Sequence, residues 1–184
     1  MTPAARIEAA IDLIGRIDAE PVPAERVITP YMRARRYIGS KDRRAIGDLV
    51  YATLRARARI DWWLDRAGQG DGVARPRRVV IAALGLVESM TADEIGALFD
   101  GGAYHPALLT SEDRALAGAV AGQPLDHAEQ PPSVRGECPA WLMEEFTQAF
   151  GGGLDAELVA LSRGAPLDLR VNTLKGGRDG AIAA

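Results

Sequence analysis

The sequence predicts an all-α fold, a helical bundle over residues 1–122, on three observations. Apolar residues recur at helical spacing in five or six short segments separated by Gly and Pro breaks. No alternation of apolar and polar residues interrupts them before about residue 122. One segment, Pro76 to Ser89, is apolar nearly all round, with Val79, Val80, Ile81, Ala83, Leu84, Leu86 and Val87, and such a helix belongs in the middle of a bundle.

The elements follow in order. Thr2 and Pro3 open a helix expected over Ala4 to Ala19, striped by Ile7, Ala10, Ile11 and Ile14. Glu20 to Pro23 breaks it. A second helix is expected over Ala24 to Tyr37, with Val27, Ile28, Tyr31 and Ile38 inward and Arg33 and Arg36 outward; Pro30 predicts a kink or break near Thr29. After Gly39, Ser40 to Leu64 is the longest helix-compatible run. Ile46, Leu49, Val50, Thr53, Leu54, Ile60 and Leu64 fall on one side of it, and Arg44, Asp48, Arg55 and Arg59 on the other. Ser40 and Asp42 offer oxygens that can cap its first turn. Arg57 would point to the apolar side of a straight helix, so either it snorkels or the helix bends or ends beside it. Gly68 to Gly72 is a loop. Thr91 and Glu94 form a capping-box pattern that starts a short helix through Phe99. Gly101 to Pro106 is a loop, and Ser111 to Ala121 another short helix.

From Gly122 to Pro139 the chain is polar, proline-rich and without period, so 123–138 is expected to be a linker or a long connection lying on the surface. Pro139 then starts a helix over Ala140 to Phe150, with Trp141, Leu142, Phe146 and Phe150 on one face, and Leu154 to Arg163 makes one more. Leu167, Leu169, Val171 and Thr173 alternate with Asp168, Arg170 and Asn172, the pattern of a strand. A lone strand cannot satisfy its backbone in water. It is expected either to introduce an α/β unit, in 139–184, that continues in a longer protein, or to pair with another molecule.

Composition narrows the class. Among 184 residues, 47% are apolar and 26% charged, which suits a folded globular chain and argues against overall disorder. No apolar run has bilayer length, and the first twenty residues lack the pattern of a secretory leader. A single cysteine, Cys138, precludes an internal disulfide framework and agrees with a reducing compartment, so a cytoplasmic location is expected. His105 and His127 are isolated from other ligand types, which argues against a metal site. Trp62 and Trp63 read as core anchors rather than base-stacking platforms. Cys138 lacks a nearby base and reads as structural rather than catalytic.

The net charge of −3 hides a segregation. Between Arg26 and Arg66 eleven basic residues, ten of them Arg, face four acids, so this window carries +7 and the remainder −10. A basic face of this kind can dock a polyanion in a chain of negative total charge. An ordinary solvated helix face in an Arg-rich protein is the plainer reading of the same charges.

Two segments resemble one family. Ser40 to Arg55 (SKDRRAIGDLVYATLR), followed by Ile60-Asp61-Trp62, resembles the NusB-like N-terminal domain of RsmB (Sun/Fmu)-type rRNA cytosine-5 methyltransferases. Pro139-Ala140-Trp141-Leu142 through Pro166-Leu167 and Leu169-Arg170-Val171-Asn172-Thr173-Leu174-Lys175 resembles the entry into that family's α/β RNA-binding subdomain. Ser111 to Gly122 departs from the family's pattern. The resemblance implies a NusB-like helical RNA-binding domain at 1–122 and the start of the RNA-binding subdomain at 139–184. It also implies a parent protein that transfers a methyl group from S-adenosylmethionine to a cytosine of 16S ribosomal RNA through a cysteine thiolate. This chain shows neither a Gly-rich cofactor loop nor a Pro-Cys nucleophile, so it is expected to hold no cofactor and to be inactive alone. The expected RNA contacts are Arg33, Arg36, Lys41, Arg43, Arg44, Arg55 and Arg59, joined by Arg170, Asn172 and Lys175 on the strand. A free-standing NusB-like module acting in transcription antitermination, and a protein-interaction bundle with an acidic partner, are the alternatives.

Overall fold

The computed structural model describes residues 1–70, 72, 74–162 and 170–182, and among these every regular element is helical. α1 (Pro3–Ala19) begins at Thr2, whose hydroxyl accepts from the Ala5 amide at 3.2 Å. α2 (Ala24–Ala34) and α3 (Ser40–Arg55) form an open hairpin, both packed on α1 and linked by the Tyr51–Glu25 hydrogen bond, and α4 (Arg57–Arg66) follows at once. α5 (Arg75–Leu86) is buried continuously from Val79 to Leu86 and packs against α1, α3, α4, α6 and α7. α6 (Ala92–Leu98) and α7 (Ser111–Val120) close the bundle, each opened by a complete capping box, Thr91 with Glu94 and Thr110 with Asp113. α5 and α7 meet closely at Gly85, where a Cβ would stand 2.7 Å from a Val120 methyl.

One apolar core joins these helices, from Leu13 and Ile14 of α1 through Ile46 and Val50, Ile60 and Leu64, to Ile95, Phe99 and Leu116. In the bundle most residues of the stripes read from periodicity are buried; Ile11, Leu54 and Val87 are half-buried against the core, and Leu13, outside the expected α1 stripe, is fully buried. Pro30 does not break α2, which runs unbroken from Ala24 to Ala34 and ends three residues before the expected Tyr37. An interior proline costs about 3 kcal/mol. Burying Val27, Ile28, Tyr31 and Met32 returns about 1.5–3 kcal/mol for each large aliphatic side chain, and Pro30 itself lies on the exposed side.

The run from Ser40 to Leu64 is two helices. Ala56, at φ −108° and ψ 17°, separates them, and its amide is shared between the carbonyls of Ala52 and Thr53. Buried Thr53 donates its hydroxyl to the Leu49 carbonyl at 2.8 Å, a back-bond of the kind that bends helices. Neither Ser40 nor Asp42 caps α3. Gly39 occupies the cap position without a side chain, and Asp42 accepts from Arg6 Nε of α1 at 2.7 Å and from the N-terminal amine at 3.4 Å.

The segment 123–138 lies along α4. Trp63 Nε1 donates to the Leu125 carbonyl at 3.2 Å, Gln130 is buried, and α8 (Pro132–Arg135) packs on α4. Beyond it come a 3₁₀ turn (Ala140–Leu142), α9 (Met143–Phe150), a second turn (Gly151–Gly153) and α10 (Leu154–Ser162). The apolar face expected on α9 is only partly covered, since Trp141 is 77% exposed and Phe150 is exposed too.

The strand expected over Leu167 to Thr173 falls partly outside the described residues. Its described part, Arg170 to Thr173, is not a strand but coil entering a turn. Asn172 Oδ1 accepts from the Leu174 amide at 3.0 Å and the Asn172 carbonyl from the Lys175 amide at 2.9 Å. An Asn that bonds its own following backbone favours a turn, and no second strand stands among the described residues to offer a ladder. α11 (Arg178–Ile182) follows.

Candidate nucleic-acid interface

The eleven basic residues between Arg26 and Arg66 divide at Ala56. On the α2–α3 hairpin, Arg26, Arg33, Arg36, Lys41 and Arg55 are exposed and carry no ion pair among the described residues. Arg44, 86% exposed, makes only a loose pair with Asp48 at 3.7 Å. Eleven residues separate Arg44 from Arg55, three helical turns within about 20°, so the two share a face of α3 roughly 16 Å apart. Arg43 is half-buried and donates its Nε to the Ile38 carbonyl at 2.8 Å, bracing the α2–α3 connection. Arg35 turns inward, with its guanidinium 3.6 Å from the Tyr31 ring centre and one nitrogen 3.3 Å from Asp12. Burial pushes the Tyr31 hydroxyl up to about 12. A carboxylate also stands in this region: Glu25 accepts from Tyr51 at 2.5 Å and from Thr29. Those two hydroxyls, Thr29 first, lower the Glu25 pKa, and the same Glu25 bond raises that of Tyr51.

The α4 arginines are bound to carboxylates. Arg57 donates to Asp18 at 2.9 and 3.0 Å and to Asp61 at 3.1 Å. Its burial opposes the charge, but Asp18 and Asp61 outweigh it and hold the guanidinium more firmly protonated than usual. Arg59, expected as a phosphate contact, is only 16% exposed at its side chain and donates to Glu137 and Asp126, both at 2.8 Å. Burial again lowers its pKa and these acids raise it further. Arg66 pairs with Glu129 and sits over the Trp62 ring at 5.2 Å.

Glu137 explains why α4 needs a distant acid. The break at Ala56 leaves the first amides of α4 without intrahelical acceptors, and those of Ala58 and Arg59 donate to the Glu137 carboxylate at 2.8 and 3.2 Å. One side chain from the 123–138 segment therefore caps a helix and neutralises the arginine in its first turn. No local pattern at Arg57 announces this; only the shortage of acids between Arg43 and Arg59 hints that a partner comes from elsewhere.

Arg170, Asn172 and Lys175 are exposed in the coil and turn, without the strand expected to present them. Cys138 is buried in a cleft of about 400 Å³ lined by Leu54, Arg55, Phe146 and Leu158. Trp63 is a core anchor and half-buried Trp62 stacks near His127 at 5.0 Å. Among the described residues no three His, Cys, Asp or Glu side chains gather as a metal site. Nor is any helix there long and apolar enough to cross a membrane. A comparison of the chain with family models, curated proteins and solved structures found no match.

Proposed function

We propose that this chain is the NusB-like RNA-binding part of an S-adenosylmethionine-dependent 16S rRNA cytosine-5 methyltransferase. What supports the reading is the cationic face of the α2–α3 hairpin, where Arg33, Arg36, Lys41, Arg44 and Arg55 stand in solvent, together with the resemblance of Ser40 to Arg55 to that family. These cations hold phosphates; they position the RNA and carry no base information themselves. Arg43 supports the connection from which they project, Arg59 belongs to the α4 ion pairs, and Arg170, Asn172 and Lys175 extend the contact from the C-terminal turn. On this reading methyl transfer and the cofactor belong to the parent protein's catalytic domain.

The test is RNA binding as a function of salt. Affinity for single-stranded RNA is expected to fall with a log–log slope of roughly 0.7 per phosphate neutralised, so about three to four for five cations. Affinity that does not change between low and high salt would sink the reading. A free-standing NusB-like antitermination module is a second reading, favoured by the coil and turn at 170–175, which, unlike an unpaired strand, call for no continuing sheet. Tight binding to a ribosomal protein in the absence of RNA would favour it.

A further inference from the structure

We propose that the cleft between the start of α1 and the loops carrying Tyr37 and Tyr104 holds one unpaired nucleobase of a single-stranded RNA, stacked against the two tyrosine rings. The proposal rests on the RNA-binding reading above and adds to it a site for a base. The cleft measures about 500 Å³ and is lined by Met1, Thr2, Tyr37, Tyr104 and His105. Tyr37 is 76% and Tyr104 89% exposed, and neither ring packs on another ring or under a guanidinium among the described residues. Tyr104 also sits at φ +65°, a left-handed conformation that disfavours a residue with a Cβ. An aromatic side chain is thus held out into solvent on a backbone that resists it.

The loop behind Tyr104 is braced. His105 bonds Asp100 through Nδ1 and Thr2 through Nε2, both at 2.7 Å, and the Gly102 amide donates to the same Asp100 oxygen at 2.9 Å. Asp100 can only accept, so Nδ1 carries the proton that faces it, and Thr2 Oγ1, which accepts from Ala5, ties Nε2 to the start of α1. The ring is presented by a fixed loop, which lowers the ordering cost of stacking. The surrounding charge suits a strand of RNA. Arg36 precedes Tyr37 and Lys41 follows it, both exposed and unpaired among the described residues, while Asp42 is neutralised by Arg6 and the amine of Met1 and Asp100 is turned into its own loop by the bonds from His105 and Gly102. Aromatic faces beside backbone-tracking cations are the means by which proteins hold single strands without reading sequence. Phosphate binding alone would not call for exposed rings.

The experiment uses the full chain with two probes, a short single-stranded oligo(A) carrying one 2-aminopurine and a duplex RNA of equal length. Tyr37→Ala and Tyr104→Ala are each expected to weaken single-strand binding about tenfold and to lose the quenching of 2-aminopurine. Tyr37→Phe and Tyr104→Phe should keep both, duplex affinity should be unchanged, and the salt slope should stay at the wild-type value. Wild-type binding of the single strand with no loss in either Ala variant overturns the base site and leaves the RNA-binding reading standing. A loss accompanied by a salt slope about one unit shallower also overturns it, because the variants would then act through phosphates. Failure of the wild type to bind either probe overturns both proposals.

Discussion

The hairpin of α2 and α3 and the short helix α4 carry arginine at similar density, yet they use it oppositely. On α3 the charged face looks outward, and Arg44 and Arg55 meet water. On α4 every arginine is taken by a carboxylate, from Asp18, Asp61, Asp126, Glu129 or Glu137. The difference comes from what lies over each helix. The segment 123–138 crosses α4 and brings Asp126, Glu129 and Glu137 with it, whereas among the described residues no acid from outside the hairpin pairs with Arg44 or Arg55. A run of basic residues is therefore a surface only where no acidic strap covers it.

The sharpest way to break this contrast is to remove the strap's anchor. Glu137→Ala strips the cap from α4 and leaves Arg59 half-buried beside one remaining acid, so unfolding stability should fall by about 2–3 kcal/mol in urea titrations. A loss under 0.5 kcal/mol would mean the strap is ornamental. Next, Arg59→Gln and Arg55→Gln should separate the two roles. Arg59→Gln is expected to lower stability by about 1–2 kcal/mol with RNA affinity changed less than about twofold. Arg55→Gln is expected to leave stability within about 0.5 kcal/mol and to shallow the salt slope by roughly 0.7. Equal RNA effects from both would erase the distinction.

A pH titration probes a buried acid of the same kind outside the strap. Burial raises the pKa of Asp113, but the Thr110 amide and Arg77, whose Nε lies 3.0 Å away, outweigh it and hold the carboxyl below its ordinary range. A group depressed in the folded state contributes stability that is fully present above its unfolded pKa of about 3.9 and is lost as pH falls through the folded value. The advantage of wild type over Asp113→Asn in urea midpoint should accordingly be constant near neutrality and shrink only below about pH 4. A gap that widens in acid would contradict the ion pair. The smallest effect belongs to the outward pair: Asp48→Ala should shift stability by no more than about 0.5 kcal/mol, the ordinary worth of an exposed i,i+4 pair at 3.7 Å, and should slightly strengthen RNA binding.

Much of the helical body was legible along the chain. Thr91 with Glu94 announced α6, and the apolar circumference of Val79 to Leu86 announced the central helix, because caps and periodicity act within a few residues. Even the difficulty at Arg57 was visible, as a charge on the wrong side of a straight helix. Its resolution was not, since the break at Ala56 is held open by an acid about 80 residues away. Pro30 misled for a similar reason: the local penalty is real, and four buried side chains override it. Among the expected RNA contacts Arg43 and Arg59 are half-buried and the others exposed, a division that composition could not make. Nothing in the sequence joins Tyr37 to Tyr104, because the loops that bring them to one cleft are remote in the chain.

By itself the sequence determined which segments coil and which face of each is apolar, because hydrogen-bond caps, proline geometry and 3.6-residue periodicity are properties of neighbours. Tertiary structure alone decided which charges face solvent. A guanidinium's environment depends on whatever the folded chain lays across it, and an acid that arrives from far along the chain leaves no trace in the spacing of the residues it neutralises.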